Sequence, residues 1–255
     1  MSVSIGTNVA SLLAAHHLRK NRVELDSAMT RLASGSRINS AADDAAGVGV
    51  ASALKAQAKG LDQAMKSGQM GIAQAQVADS ALVEVENMVI RIRELAVQKA
   101  STGAYTSTQI ANIDAEITAL NAEISSIKDN TKFNGSDVSA GGGDYVVSGG
   151  GDTATFTLPT FFASAGTTIA SADASLVSVA TARGTLGAMI NRLQYSVNAI
   201  SNTAANNYAA AGTVADTDYA EASAAVAKGQ ILQQAGAAIL AQANASNQYV
   251  LAVLQ

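Results

Sequence analysis

Residues 110–127 read IANIDAEITALNAEISSI. Their larger aliphatic side chains are Ile110, Ile113, Ile117, Leu120, Ile124 and Ile127, at spacings that alternate between three and four. That rhythm puts all six on one stripe of an α-helix, as in the a and d positions of a coiled coil. Such a stripe is not stable alone in water, because its apolar side chains need partner helices to cover them. The remainder of the chain contains two segments of matching rhythm. Upstream, Leu82, Val85, Val89, Ile92 and Ala96 repeat it, and Met88 and Leu95 widen the same face. Downstream, Leu176, Val179, Leu186, Ile190, Leu193, Val197 and Ile200 do so, with only Arg183 out of register. The upstream segment carries a second stripe, Val83, Ile90 and Val97, on its far side. One stripe packs within the chain, and the other asks for a different covering. Three sustained seams predict a mainly α fold, an elongated helical bundle.

Composition bounds what such a bundle does. Of 255 residues, 48% are hydrophobic but only 14% charged, against roughly 25% in ordinary domains. Aromatic residues make up 4% and tryptophan is absent, so the apolar share is mostly Ala, Val, Ile and Leu. Helices whose remaining faces are Ala, Ser, Asn and Gln are poorly soluble when every face meets water. Copies of the same chain are therefore expected to cover much of the outside. A net charge of −4, with no basic patch interleaved with aromatics, does not suggest nucleic acid. The lack of cysteine excludes disulfides and thiol chemistry. Met1 to Leu18 has no basic start, apolar run and cleavage site of a secretory signal. No stretch reaches the roughly 18 continuous apolar residues of a membrane span.

Residues 1–33 form an amphipathic segment with Ile5, Val9, Leu12, Leu18, Leu25, Met29 and Leu32. Ser34-Gly35-Ser36 ends it as a helix cap and turn. Ser40 with Asp43 has capping-box spacing, and predicts a helix from about Ala41 to Lys99. Ser101-Thr102-Gly103 then turns the chain into the 110–127 helix. From Phe133 to Ala174 the helical period is lost. Tyr145-Val146-Val147 and Thr153 to Leu158, around a Gly-Asp loop, predict a small β-hairpin that Pro159 ends. Asp218 and Glu221 fit a further helix start. The closing segment, Val226 to Gln255, has Lys228 as its one charge and carries Ile231, Leu232, Ile239, Val250, Val253 and Leu254. Both ends of the chain are amphipathic and individually marginal, which makes them natural mates.

No catalytic or cofactor constellation emerges. His16-His17 is the only histidine pair, and neighbours on a helix point about 100° apart, too far to share one metal ion. Gly47-Val48-Gly49 lacks the preceding strand of a dinucleotide site, and no Gly-Lys-Ser/Thr follows any glycine run. Asp216 and Asp218 lack the loop glycine and closing ligand of a calcium loop, so capping is their expected role. The expectation is a non-enzyme without cofactor or metal.

Several stretches point to a family. Arg31 to Gly47, RLASGSRINSAADDAAG, closely resembles the N-terminal signature of bacterial flagellins, as does RELAVQ at Arg93 to Gln98. TKFNG at Thr131 to Gly135 resembles the family's QFNG turn. DTDYAEAS and GQILQQAGAAILAQA, within Asp216 to Ala243, resemble its C-terminal signature. The match covers about residues 1–138 and 175–255. The resemblance implies a subunit that polymerises into the flagellar filament used for swimming. Residues 1–43 with 217–255 would pair as a coiled coil lining an inner tube. Residues 44–142 with 175–216 would form a helical shell, and 143–174 a short variable hairpin region. Val83, Ile90, Val97, Ile231, Leu232, Ile239 and Leu254 would be subunit-packing residues. The implied partners are further copies of the chain, an export chaperone, a filament cap and hook-associated junction proteins, with no nucleic acid and no membrane insertion. Localisation would be extracellular, after unfolded export through the flagellum's own channel. In flagellins detected by Toll-like receptor 5, an Arg and a Leu of the RELAV helix and a Glu of the next helix form the contact centre. Arg91, Leu95 and Glu116 match them, although Ile90 stands where a Gln is usual. Those same residues also read as solvated or interface charges and bundle core.

Three rivals stand beside this reading. The hook–filament junction protein is a flagellin-like relative, but the full RINSAADDAAG and GQILQQAG segments favour flagellin proper. A chemoreceptor-like signalling hairpin would need more Glu and Lys on its faces. A surface adhesion module would work through the hairpin tip.

Overall fold

The structure, a computed structural model, describes residues 7–138, 144–146, 153–155 and 165–253, with side chains for 7–138 and 165–246. Among the described residues five helices dominate: α1 (Val9–Ser34), α2 (Ala45–Ala100), α3 (Ser107–Asn130), α4 (Ile169–Ala215) and α5 (Tyr219–Val253). Between α3 and α4 lie β1 (Lys132–Phe133), β2 (Ser136–Asp137), β3 (Asp144–Val146) and β4 (Thr153–Thr155). The mainly α architecture with a small hairpin insert agrees with the sequence reading. The chain divides into two compact units, residues 56–207 and residues 1–55 with 208–255.

In the 56–207 unit, the three seams form the core. Leu82, Val85, Val89, Ile92 and Leu95 of α2 are buried, as are Ile113, Ile117 and Ile124 of α3 and Val179, Leu186 and Leu193 of α4. All of these but Leu193 belong to one cluster, with Leu120, Ile127 and Ile190 partly buried against it. Arg183, the residue out of register, is half-buried and binds α2 from α4. Its Nε donates to Asp79 at 3.0 Å, and Nη1 donates to Glu86. These two carboxylates hold its guanidinium protonated more firmly than usual, Asp79 contributing most. A polar side chain sits in an apolar seam only where its charge finds partners. Close packing also explains Gly68, where a Cβ would lie 2.7 Å from Val197 Cγ2.

Helix ends follow local chemistry. Thr106 and Gln109 close a reciprocal capping box at the start of α3. Asp218 Oδ1 accepts from the Ala220 and Glu221 amides to start α5. The expected start of α2 at Ala41 is corrected to Ala45. Asp43 Oδ2 accepts from the Asn39 and Ser40 amides and from Ser40 Oγ, closing a turn that competes with the helix. These bonds, those from Ser40 first, hold the Asp43 carboxyl below its ordinary range. Asp44 caps instead, its Oδ1 accepting from Gly47 N at 2.8 Å.

The segment after α3 holds a turn that helical periodicity does not reveal. β1 and β2 pair antiparallel, Lys132 with Asp137 and Phe133 with Ser136. Asn134 and Gly135 between them have φ of 52° and 80°, the two-residue hairpin geometry that Asn-Gly favours. Buried Val138 follows directly and joins the core. The expected hairpin forms from β3 and β4, with Asp144 opposite Thr155 and Val146 opposite Thr153. Val147 and the 156–158 part of its second strand, with Pro159, lie outside the described residues.

In the unit of the two chain ends, α1 and α5 pack antiparallel. Asn8 Nδ2 donates to Ala243 O at 3.0 Å and Asn21 Nδ2 to Gly229 O at 2.8 Å. Leu25 and Leu18 fill notches over Gly229 and Gly236, where a Cβ would meet Leu25 Cδ1 at 3.0 Å and Leu18 Cδ2 at 2.8 Å. A minimal bridge ties the two chain reversals: Arg37 N donates to Ala215 O, and Thr217 N donates to Gly35 O. Gly35, at φ 71°, ends α1 in the left-handed conformation that glycine accepts most readily.

Candidate functional site

The helix pair of the chain ends buries little. On α1, Leu25 is the buried residue, while Val9, Leu12, Leu13 and Val23 are 58–70% exposed. On α5, Ile231 and Ile239 are more than half exposed and Leu232 nearly so. Leu232 and Ile239 line a groove of about 530 Å³ with Leu13, His17, Leu18 and Gly236. The expected packing residue Leu254 lies outside the described residues. Single exposed aliphatics need no explanation, but here they recur along two paired helices, and the single chain leaves them uncovered.

The 56–207 unit presents its own apolar face. Ile90 and Val97 of the second stripe are 42% and 46% exposed, and Val83 is half-buried. Their neighbours one step round the helix, Val89 and Ala96, are in the core, so α2 faces the interior on one side and is uncovered on the other. The sequence separates these two stripes without help from the fold.

Arg91, Leu95 and Glu116 are placed unequally. Arg91 reaches from α2 to α3, with Nε and Nη2 donating to Glu116 Oε1 at 3.1 and 3.0 Å and Nη1 donating to Glu94 Oε2 at 3.1 Å. Glu116 first, then Glu94, raises the affinity of this guanidinium for its proton. Leu95, in contrast, is 2% exposed and part of the core cluster. Arg91 and Glu116 are thus brought together at the surface, and Leu95 supports the helix from within. Among the described residues no group of three or more His, Cys, Asp or Glu is placed to hold a metal ion, and no helix is long and apolar enough to cross a membrane.

Sequence reasoning missed the notches at Gly229 and Gly236. Their spacing of seven, matching that of Leu18 and Leu25, was the available signal.

Two family models match the chain. Residues 5–142 match the bacterial flagellin N-terminal helical region, and residues 169–254 the bacterial flagellin C-terminal helical region. The chain is 34% identical to a flagellin of Halalkalibacterium halodurans over 271 residues, covering 98% of this chain and 99% of the relative. It is 32% identical to a flagellin of Listeria monocytogenes, over 96% of this chain and 97% of that one. It is also 32% identical to a flagellar filament 33 kDa core protein of Treponema phagedenis, over 98% and 99%. With three interlocked seams, paired chain ends and uncovered apolar faces all falling within the matched regions, the chain belongs to the bacterial flagellins.

Proposed function

We infer that the chain is a structural subunit that polymerises with copies of itself into the flagellar filament used for swimming. The observation that carries this reading is the α1–α5 pair, which leaves Val9, Leu12, Leu13, Val23, Ile231 and Ile239 at least 58% exposed. Burying a side chain of this size contributes roughly 1.5–3 kcal/mol, and the isolated chain leaves most of that unrealised. A repeating array of copies realises it.

Residues 1–43 with 217–255 are assigned to an inner tube. Residues 44–142 with 175–216 are assigned to the surrounding shell, and 143–174 to a short outward region. The protein is placed outside the cell in the filament, after export through the flagellum's own channel. An export chaperone, a filament cap and junction proteins are its proposed further partners. Toll-like receptor 5 is a further candidate, through Arg91 and Glu116, whose mutual hydrogen bonds hold both groups in place on the surface. A reporter-cell assay with monomeric protein tests that contact, and no response would remove it.

The test of the main reading is direct. Purified protein is warmed to monomers, cooled with short seeds and viewed by negative-stain electron microscopy. Long tubes are the expected result. Persistent monomers, or short caps on the seeds, would point to a junction protein instead.

The stripe on α2 gives a separate expectation. Ile90→Lys places a charge on a side chain that is 42% exposed in the single chain. Monomer stability should change by less than about 1 kcal/mol, as for surface substitutions generally. Polymerisation should fall far more, because a charge buried without a partner costs several kcal/mol. Sedimentation and circular dichroism separate the two effects, and equal loss of both would sink the assignment.

A further inference from the structure

Asn134-Gly135 is the only Asn-Gly pair in the chain. It forms the tip between β1 and β2, with both residues exposed and φ of 52° and 80°. A Cβ at Gly135 would have nothing within 4 Å, so there is open space beside the tip. The two strands are two residues long, and their pairing leaves the Gly135 amide outside the ladder. The other described asparagines lie within helices or precede an amide that is already bonded, as Ser40 N is to Asp43 Oδ2 and Val9 N to Thr7 O.

A main-chain nitrogen following an asparagine can attack that residue's own side chain, because the ring it closes has five members. Glycine hinders the attack least, having no Cβ. The Gly135 nitrogen bonds to Asn134 Cγ as the Cγ–Nδ2 bond breaks, and its proton leaves with Nδ2 as ammonia. Water then opens the succinimide. Opening at the side-chain carbonyl gives aspartate, and opening at the main-chain carbonyl gives isoaspartate, with one extra carbon in the main chain. The folded turn holds this reaction back. With both central residues at positive φ, the turn points the Gly135 nitrogen away from the Asn134 Cβ. Ring closure therefore needs the tip to open, and a hairpin this short is marginal by itself. Its base resists opening: Val138 N donates to Thr131 O at 3.1 Å, and the Val138 side chain is buried in the core cluster.

We propose that Asn134 is a site of spontaneous deamidation, gated by opening of the β1–β2 turn, and that isoaspartate there unseats Val138. An extra main-chain carbon between the strands breaks the register of Phe133 with Ser136 and of Lys132 with Asp137, and Val138 follows Asp137 directly. Aspartate leaves the main chain unchanged and, like asparagine, is among the residues that accept positive φ. The added charge alone therefore leaves the turn intact.

The test incubates the full-length monomer in mildly alkaline buffer and maps its peptides by mass and by isoaspartyl methyltransferase labelling. Conversion should concentrate at Asn134. Val138→Ala removes buried methyl groups, so the open turn should be about tenfold more populated and conversion faster by the same factor. In guanidinium, where no turn persists, both proteins should convert at one shared, faster rate. Chains carrying isoaspartate, separated chromatographically, should melt below the wild type, whereas Asn134→Asp should melt with it. Conversion spread over other asparagines, or none at Asn134 in the native chain, would overturn the site. Equal native rates in the wild type and Val138→Ala would overturn the gating. Isoaspartate chains that melt with Asn134→Asp would overturn the consequence for Val138.

Discussion

Leu186→Ala is expected to lower the stability of the 56–207 unit by about 2–5 kcal/mol, the range for deleting buried aliphatic side chains. Leu186 has no exposed surface and belongs to the cluster that joins α2, α3 and α4. Removing it forfeits the transfer energy of its missing carbons and leaves a cavity that three long helices cannot easily close. Val177, on the same helix but 66% exposed, is the matched control, and Val177→Ala should change stability by less than about 0.5 kcal/mol. Calorimetry of the monomer checks both. A small effect at Leu186 would mean that the α4 seam packs elsewhere than the structure places it.

The second large effect is expected at Gly236→Val. Glycine within a helix costs roughly 0.5–1 kcal/mol relative to alanine, so propensity alone favours replacement. Packing opposes it more strongly. A Cβ at Gly236 would stand 2.8 Å from Leu18 Cδ2 and 2.9 Å from Cγ, and valine adds two further methyl groups. Overpacking of this kind typically costs 1–3 kcal/mol, and α1 with α5 has little buried surface to absorb it. The pair should separate, with a fall in helical ellipticity and loss of seeded elongation, while the 56–207 core melts as before. Gly184→Ala is the contrasting change. Nothing lies within 4 Å of its would-be Cβ, so it should be neutral or stabilise by up to about 1 kcal/mol. If Gly236→Val still elongates seeds like the wild type, the notch is not required for assembly.

The two substitutions probe different kinds of information. Leu186 is legible from spacing, because a residue that continues a three-four rhythm over several turns has one covered face whatever covers it. The same holds for Ile117, Val89 and the second stripe at Ile90 and Val97. Gly236 is not legible in that way, since a helical glycine reads as a weakness until Leu18, 218 residues earlier, is seen to fill the space above it. Arg183 is intermediate. Its break in register was visible, but its partners Asp79 and Glu86 lie 104 and 97 residues away, beyond any local pattern. The start of α2 went wrong by four residues because two aspartates compete for capping. The Ser40–Asp43 spacing that suggests a helix start closes a separate turn.

The sequence alone determined that this protein is helical, seam-packed and poor in charge, because periodicity and composition act locally and repeat over many residues, and its motifs at both ends carried the resemblance to flagellins. Tertiary structure decided which glycines are notches and which charges pair. Those features depend on residues that are distant in the chain and adjacent only once the helices have packed.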